Sequence, residues 1–213
     1  MKKKNKVKII FSIVIPIVAF FKIASLIIFL VGCGIFIHNG GVVVGRTTNI
    51  EEYESYRNNV PYAKDMLPSL DDISISKEQM RFGYKNTLLF LWKSEGISLF
   101  LDCKDSYSYE STNAMSNYTF LEKEYRDQDG DYIFPVAQFE HKGYTFHIAP
   151  NYNYSKRLTP KSFLMIGLND EKNKMCYLYF YDSDLDYILS NSDSKGREQE
   201  MKNFVNEYFI WFE

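Results

Sequence analysis

The stretch SFLMIGLNDEKNKMCYLYFY, residues 162–181, holds two apolar runs around a polar joint. Ser162 to Leu168 and Met175 to Tyr181 have strand length and are rich in aromatic and aliphatic side chains. Asn169 to Asn173 between them has the length and the Asn/Asp content of a hairpin loop. A second pair stands just upstream: Ile133 to Glu140 and Tyr144 to Ala149, joined by His141, Lys142 and Gly143. Short joints of this kind make antiparallel neighbours.

Further strands precede them. Gln79 to Asn86 alternates Met80, Phe82 and Tyr84 against Gln79, Arg81 and Lys85, and Thr87 to Ser94 is mostly apolar. Glu95-Gly96 reads as the turn into Ile97 to Cys103, whose middle is apolar on both faces. Helical signals flank the strands. Thr48 and Glu51 have capping-box spacing ahead of a helix to about Asn59. Asp105 to Glu124 carries its apolar residues at helical intervals, and Asp182 and Asp184 are placed to cap a short helix over Leu185 to Leu189. In Glu198 to Phe212, Met201, Phe204, Val205, Tyr208, Phe209 and Phe212 form a stripe that needs a sheet to cover. The class expected is α+β: an antiparallel sheet of about seven strands, largely hairpins, with helices on one face.

The start of the chain has a different character. Residues 9–37 contain Lys22 as their one charge, and MKKKNKVK before them holds five lysines. At about 1.5 Å per residue this run exceeds a hydrocarbon core of roughly 30 Å. The lysines mark the cytoplasmic side. The expected organisation is a lysine-rich tip and transmembrane anchor over 1–40, a linker over 41–48, and an extracytoplasmic domain over 49–213. The chain would be a single-pass protein of the cell membrane with its N-terminus cytoplasmic. Its partner would be the lipid bilayer through residues 9–37.

Leu30-Val31-Gly32-Cys33 matches a bacterial lipobox, which makes Cys33 a candidate for lipidation. The apolar run continues through Ile37, however, where acylated proteins turn polar. An uncleaved helix accounts for that run more simply, and it tolerates Pro16 and a snorkelling Lys22.

Six of the 25 basic residues lie at or before Lys22, while all 27 acidic ones lie at or after Glu51, so the outer portion carries a net charge of −8. That balance argues against a nucleic-acid partner, whose phosphates require a basic face. All 17 tyrosines lie in this portion, as suits a packed sheet with wet edges.

No catalytic motif emerges. GxSxG, HExxH and Walker patterns are missing, and no cofactor is expected. His141 and His147, six residues apart across a hairpin, could approach each other as a metal pair, but surface or packing roles suit them better. Asp182, Asp184 and Asp186 alternate as calcium ligands do, yet the sixth position of that pattern holds Tyr187 where an EF-hand needs glycine. Asp127, Asp129 and Asp131 fail in the same way at Tyr132. Turn and cap roles suit both clusters better. Cys103 and Cys176 are candidates for a disulfide in an exported domain, or for two separate buried thiols.

Three segments, Lys161 to Leu189, Tyr62 to Ser74 and Glu95 to Asp102, resemble uncharacterised membrane-anchored proteins of low-GC Gram-positive bacteria. The resemblance implies an envelope location and assigns no activity, cofactor or site residue. The function expected is therefore a membrane-tethered, non-enzymatic domain that binds a ligand or an envelope protein. A cell-envelope hydrolase with a site assembled from distant Asp, Glu and His residues is the alternative.

If the helix itself holds the chain in the membrane, Cys33→Ser leaves the protein in the membrane fraction with an unchanged mass apart from the substitution. Loss of a lipid mass, or release to the medium, would establish acylation instead.

Overall fold

The computed structural model describes residues 21–27, 42–89, 92–126, 132–151, 162–183 and 194–212. Two compact units divide the chain, Met1–Val42 and Val43–Glu213. In the first, residues 21–27 are helical (α1), with Phe21, Ile23, Leu26 and Ile27 exposed. Among the described residues no helix is long and apolar enough to cross a membrane. The other residues of the apolar run, 9–20 and 28–37, lie outside the described set.

The second unit is built on a seven-stranded sheet. In chain order its strands are β1 (Val42–Thr47), β2 (Met80–Leu89), β3 (Trp92–Asp102), β6 (Gln138–His141), β7 (Tyr144–Pro150), β8 (Ser162–Asn169) and β9 (Lys174–Asp182). The spatial order is β1-β2-β3-β9-β8-β7-β6. Every neighbour from β2 to β6 pairs antiparallel. A small two-stranded sheet holds β4 (Tyr125–Arg126) and β5 (Tyr132–Phe134).

The α+β class and the antiparallel seven-stranded sheet agree with the sequence reading, while several boundaries do not. Residues 42–47, read as linker, form the edge strand β1. The turn read at Glu95-Gly96 lies earlier, because β2 and β3 pair out to Leu89 and Trp92 and Gly96 sits inside β3. The run Ile133 to Glu140 is two strands separated at Pro135, whose missing N–H cannot continue a ladder. The cap at the first helix is Asn49 rather than Thr48: its side chain accepts from the Glu51 N–H ahead of a 3-10 turn and α2 (Tyr53–Asn59). The segment Leu185 to Leu189 lies outside the described residues.

The sheet is covered on both faces, not one. Alternate residues of the central strands feed two separate cores. Ile97, Leu99 and Leu101 of β3 and Tyr177 and Tyr179 of β9 face the first. There they meet Tyr53 of α2, Ala63 of α3 (Ala63–Met66) and Ala114 of α4 (Tyr107–Asn117). Tyr53 meets Phe82 edge-to-face at 5.5 Å and donates to the Pro68 carbonyl at 2.7 Å. The buried Glu110 of α4 accepts the Ser74 N–H at 2.7 Å, tying the incoming loop to the helix.

Phe100 of β3, Cys176, Leu178 and Phe180 of β9, and Phe163 and Met165 of β8 face the second core. Phe134 of β5 and Met201, Phe204 and Val205 of α5 (Ser194–Tyr208) close it. The stripe read over Glu198 to Phe212 is thus helical only to Tyr208. Beyond it, Phe209 to Phe212 run along the sheet as non-helical chain. Two glycines clear that path. A Cβ on Gly96 would enter the Tyr208 carbonyl oxygen, and one on Gly83 would stand 2.6 Å from Ile210 Cβ. Glycine inside a strand here marks a close backbone approach. The buried Ser98 hydroxyl donates to the Ile210 carbonyl at 2.8 Å and fixes the crossing.

Phe204 packs against Phe180 at 4.8 Å and Phe163 at 5.6 Å. Phe204→Ala is expected to cost about 3–5 kcal/mol through the lost contacts and the cavity left behind. A denaturant melt measures it, and an unchanged midpoint would mean that α5 is not the cover of this face.

Candidate functional site

The cover on the second face stops short. Past Phe212, at the end of the sheet where β3, β9 and β8 reach Asp102, Lys174 and Asn169, a cavity of about 670 Å³ opens. Strand register builds its floor: Asp102 pairs with Lys174, which pairs with Asn169, so the three stand side by side. Gln79 donates to the Asp102 carbonyl at 2.8 Å and brings the start of β2 against this rim.

One wall is aromatic. The Trp211 ring meets Phe100 edge-to-face at 4.9 Å and Tyr144 at 5.6 Å, and Phe212 meets Phe100 at 5.6 Å. Phe100 and Tyr144 are buried, while Trp211 and Phe212 are half-buried and border the open space. Such a wall holds the flat apolar surface of a ring. Burial raises the Tyr144 phenol above its ordinary range, so it stays protonated.

The rim is basic. Arg81, Lys104, Lys142, Lys172 and Lys174 line the cavity against two acids, Glu78 and Asp102. Among the described residues none of these five cations forms an ion pair. Lys142 Nζ stands 4.7 Å from the centre of the Trp211 ring, a cation–π contact that holds it at the aromatic wall. Arg81 donates through one terminal nitrogen to the carbonyls of Glu78 and Met80 at 3.0 and 2.9 Å. Turn geometry presents two of the lysines. Lys142 (φ 51) and Gly143 (φ 80) are the paired left-handed residues of a two-residue hairpin, and Lys104 (φ 46) is left-handed at the end of β3.

The residues singled out in the sequence do not assemble here. Asp182 accepts from Ser94 Oγ at 2.6 Å across the β3–β9 pair, far along the strands from the cavity. Asp184 and Asp186 lie outside the described residues, as do Cys33 and Asp127, Asp129 and Asp131. Among the described residues no cluster of His, Cys, Asp and Glu could hold a metal. Cys103 and Cys176 are free buried thiols. They belong to different cores, Cys103 with Ala114 and Cys176 with Phe180, and the sheet stands between them. Burial pushes the Cys103 thiol up to about 12 and raises Cys176 as well, so neither is a thiolate nucleophile at neutral pH. His141 and His147 also part. His141 lies edge-on to Trp211 at 5.5 Å with Nε2 3.1 Å from Asn206 Oδ1, while His147 meets Phe120 at 5.7 Å. Burial lowers both from the ordinary histidine value.

Sequence reasoning missed the cavity lysines. Three segments contribute them, and no spacing links Lys104, Lys142 and the Lys172–Lys174 pair. The Lys142-Gly143 turn was the one local signal. The chain matches no known protein family, no curated protein and no solved structure.

The aromatic wall depends on Ser98, because its hydrogen bond holds the chain leading to Trp211. Ser98→Ala leaves the Ile210 carbonyl buried without this donor and is expected to cost about 1–3 kcal/mol. Trp211 emission should shift to the red in the same variant as the wall loosens. A native stability and spectrum would mean that packing alone sets the wall.

Proposed function

We propose that this chain is a membrane-tethered extracytoplasmic domain that binds a ligand without transforming it. The observation that carries the reading is the cavity of about 670 Å³ with one aromatic wall and a rim of cations that form no ion pair among the described residues. That volume lies in the range of small-molecule pockets, roughly 300–1,000 Å³. A general base or nucleophile needs a partner that activates it. The histidine beside the wall, His141, meets an asparagine, and both buried cysteines are held as thiols. The chemistry presented to a ligand is thus a hydrophobic surface and positive charge. The tether is supported by the 29 residues 9–37 with their single lysine and by the lysine-rich tip. The resemblance to membrane-anchored proteins of low-GC Gram-positive bacteria points the same way.

Two measurements test it. Protease added to intact, wall-stripped cells should digest the chain beyond Arg46 and leave a short lysine-tipped stub; protection until the membrane is opened would reverse the orientation. In the full chain in detergent, Trp92→Phe leaves Trp211 as the sole tryptophan. Ring-bearing probes, neutral or charged, should change its emission reversibly and be recovered intact. Turnover of a probe would favour the hydrolase alternative, and silence towards every probe would remove the binding reading.

A further inference from the structure

We propose that the cavity takes a small phosphorylated ligand carrying at least two negative charges on a ring-shaped body, an inference that rests on the binding function above. Charge is the first argument. Among the described residues, the five cations and two acids lining the cavity leave three positive charges in excess, in an outer portion whose net charge is −8. A basic recess on an acidic molecule focuses its field on the recess rather than on the whole surface. Side-chain pairing within the described protein does not neutralise these cations. A ligand with two or three negative charges would.

Four of the five cations are lysines, each a compact charge with three donors that adapts to the oxygens of a phosphate. A free guanidinium fork would grip a planar carboxylate bidentately as well as a phosphate. Arg81, the only arginine here, has one arm committed to the Glu78 and Met80 carbonyls. The lysines also come from several sides of the opening. Lys174 stands on the floor, Lys142 at the aromatic wall, and Lys104 and Lys172 on the outer loops. That spread suits phosphate groups separated across a molecule.

The wall supplies the rest. Trp211 and Phe212 border the cavity beside Lys142, so a ring laid against them brings its phosphates within the lysine rim. A neutral ring would gain the wall and lose the charge. Inorganic polyphosphate would gain the charge and lose the wall.

The full chain in detergent, with Trp92→Phe, tests this by Trp211 emission and by calorimetry, so that binding without an optical change still registers. Four probes divide the arguments: glucose 1,6-bisphosphate, pyrophosphate, glucose and citrate. The bisphosphate should bind most tightly, pyrophosphate more weakly, and glucose weakest. Raising the ionic strength from about 0.01 to about 0.1 M shortens the screening length from about 30 to about 10 Å and should weaken the bisphosphate but not glucose. Lys104→Gln with Lys172→Gln, both exposed, should weaken the bisphosphate about tenfold or more. Lys64→Gln with Lys123→Gln, exposed and outside the cavity, should leave it unchanged. Citrate binding as tightly as the bisphosphate would overturn the choice of phosphate. Glucose binding as tightly would overturn the anionic ligand while leaving a binding domain. Neither heat nor emission change with either phosphorylated probe would overturn the inference, and silence towards glucose as well would remove the binding function too.

Discussion

The central strands are apolar on both faces, and the rest of the domain follows from that constraint. Through the middle of β3, β8 and β9 every residue is buried, so neither face of the sheet can stay in water. At roughly 25 cal/mol per Å² of apolar surface, one uncovered face would forfeit more than a typical domain's net stability. Two covers are therefore needed. The chain before β2 and the helix after β3 supply one, as α2, α3 and α4. The chain after β9 supplies most of the other, as α5 and the non-helical residues beyond it. The small β4–β5 sheet completes that cover with Phe134 against Phe163 at 4.8 Å.

The second cover is where structure passes into function. A helix keeps its axis about 8–10 Å from the element it packs on, whereas a non-helical chain comes closer where no side chain intervenes. Gly83 and Gly96 permit that closer approach, and Ser98 satisfies the carbonyl that it buries. The end of the helix at Tyr208 carries Trp211 and Phe212 along β3 to Phe100 and turns them into a wall. The sheet continues past this wall to Asp102, Lys174 and Asn169, and the uncovered end is the cavity. One packing decision thus creates both the cover and the opening beside it.

Much of the sheet was legible because strand length and hairpin chemistry are local. Ser162 to Tyr181 folds as read, and the Tyr144 hairpin does so except that its first strand is only Gln138–His141. The one-face arrangement failed for a reason already present in the same residues. FLMI and MCYLYF do not alternate, and a run without alternation signals burial on both sides. Gly96 reads as a turn because glycine punctuates turns more often than it makes room for a crossing chain. What distinguishes the two cases is Tyr208, more than a hundred residues away in sequence and in contact only after folding. The stripe through Phe212 misled similarly: Phe209 and Phe212 are apolar at helical spacing, and both are used, but from non-helical chain.

The cavity was illegible for a deeper reason. Its charge excess belongs to no segment. Composition reports the outer portion as acidic, and each lysine taken alone reads as a solvated loop residue. Register converts them into a site: pairing Asp102 with Lys174, and Lys174 with Asn169, aligns the ends of three strands and brings their following loops to one edge. A shift of a single residue in the β3–β9 register would turn Lys174 to the opposite face, towards the first core and away from the cavity. The aromatic residues that hold the register, Phe100, Tyr177 and Phe180, therefore also hold the charge pattern. Core packing and ligand chemistry meet in the same pairing of strands.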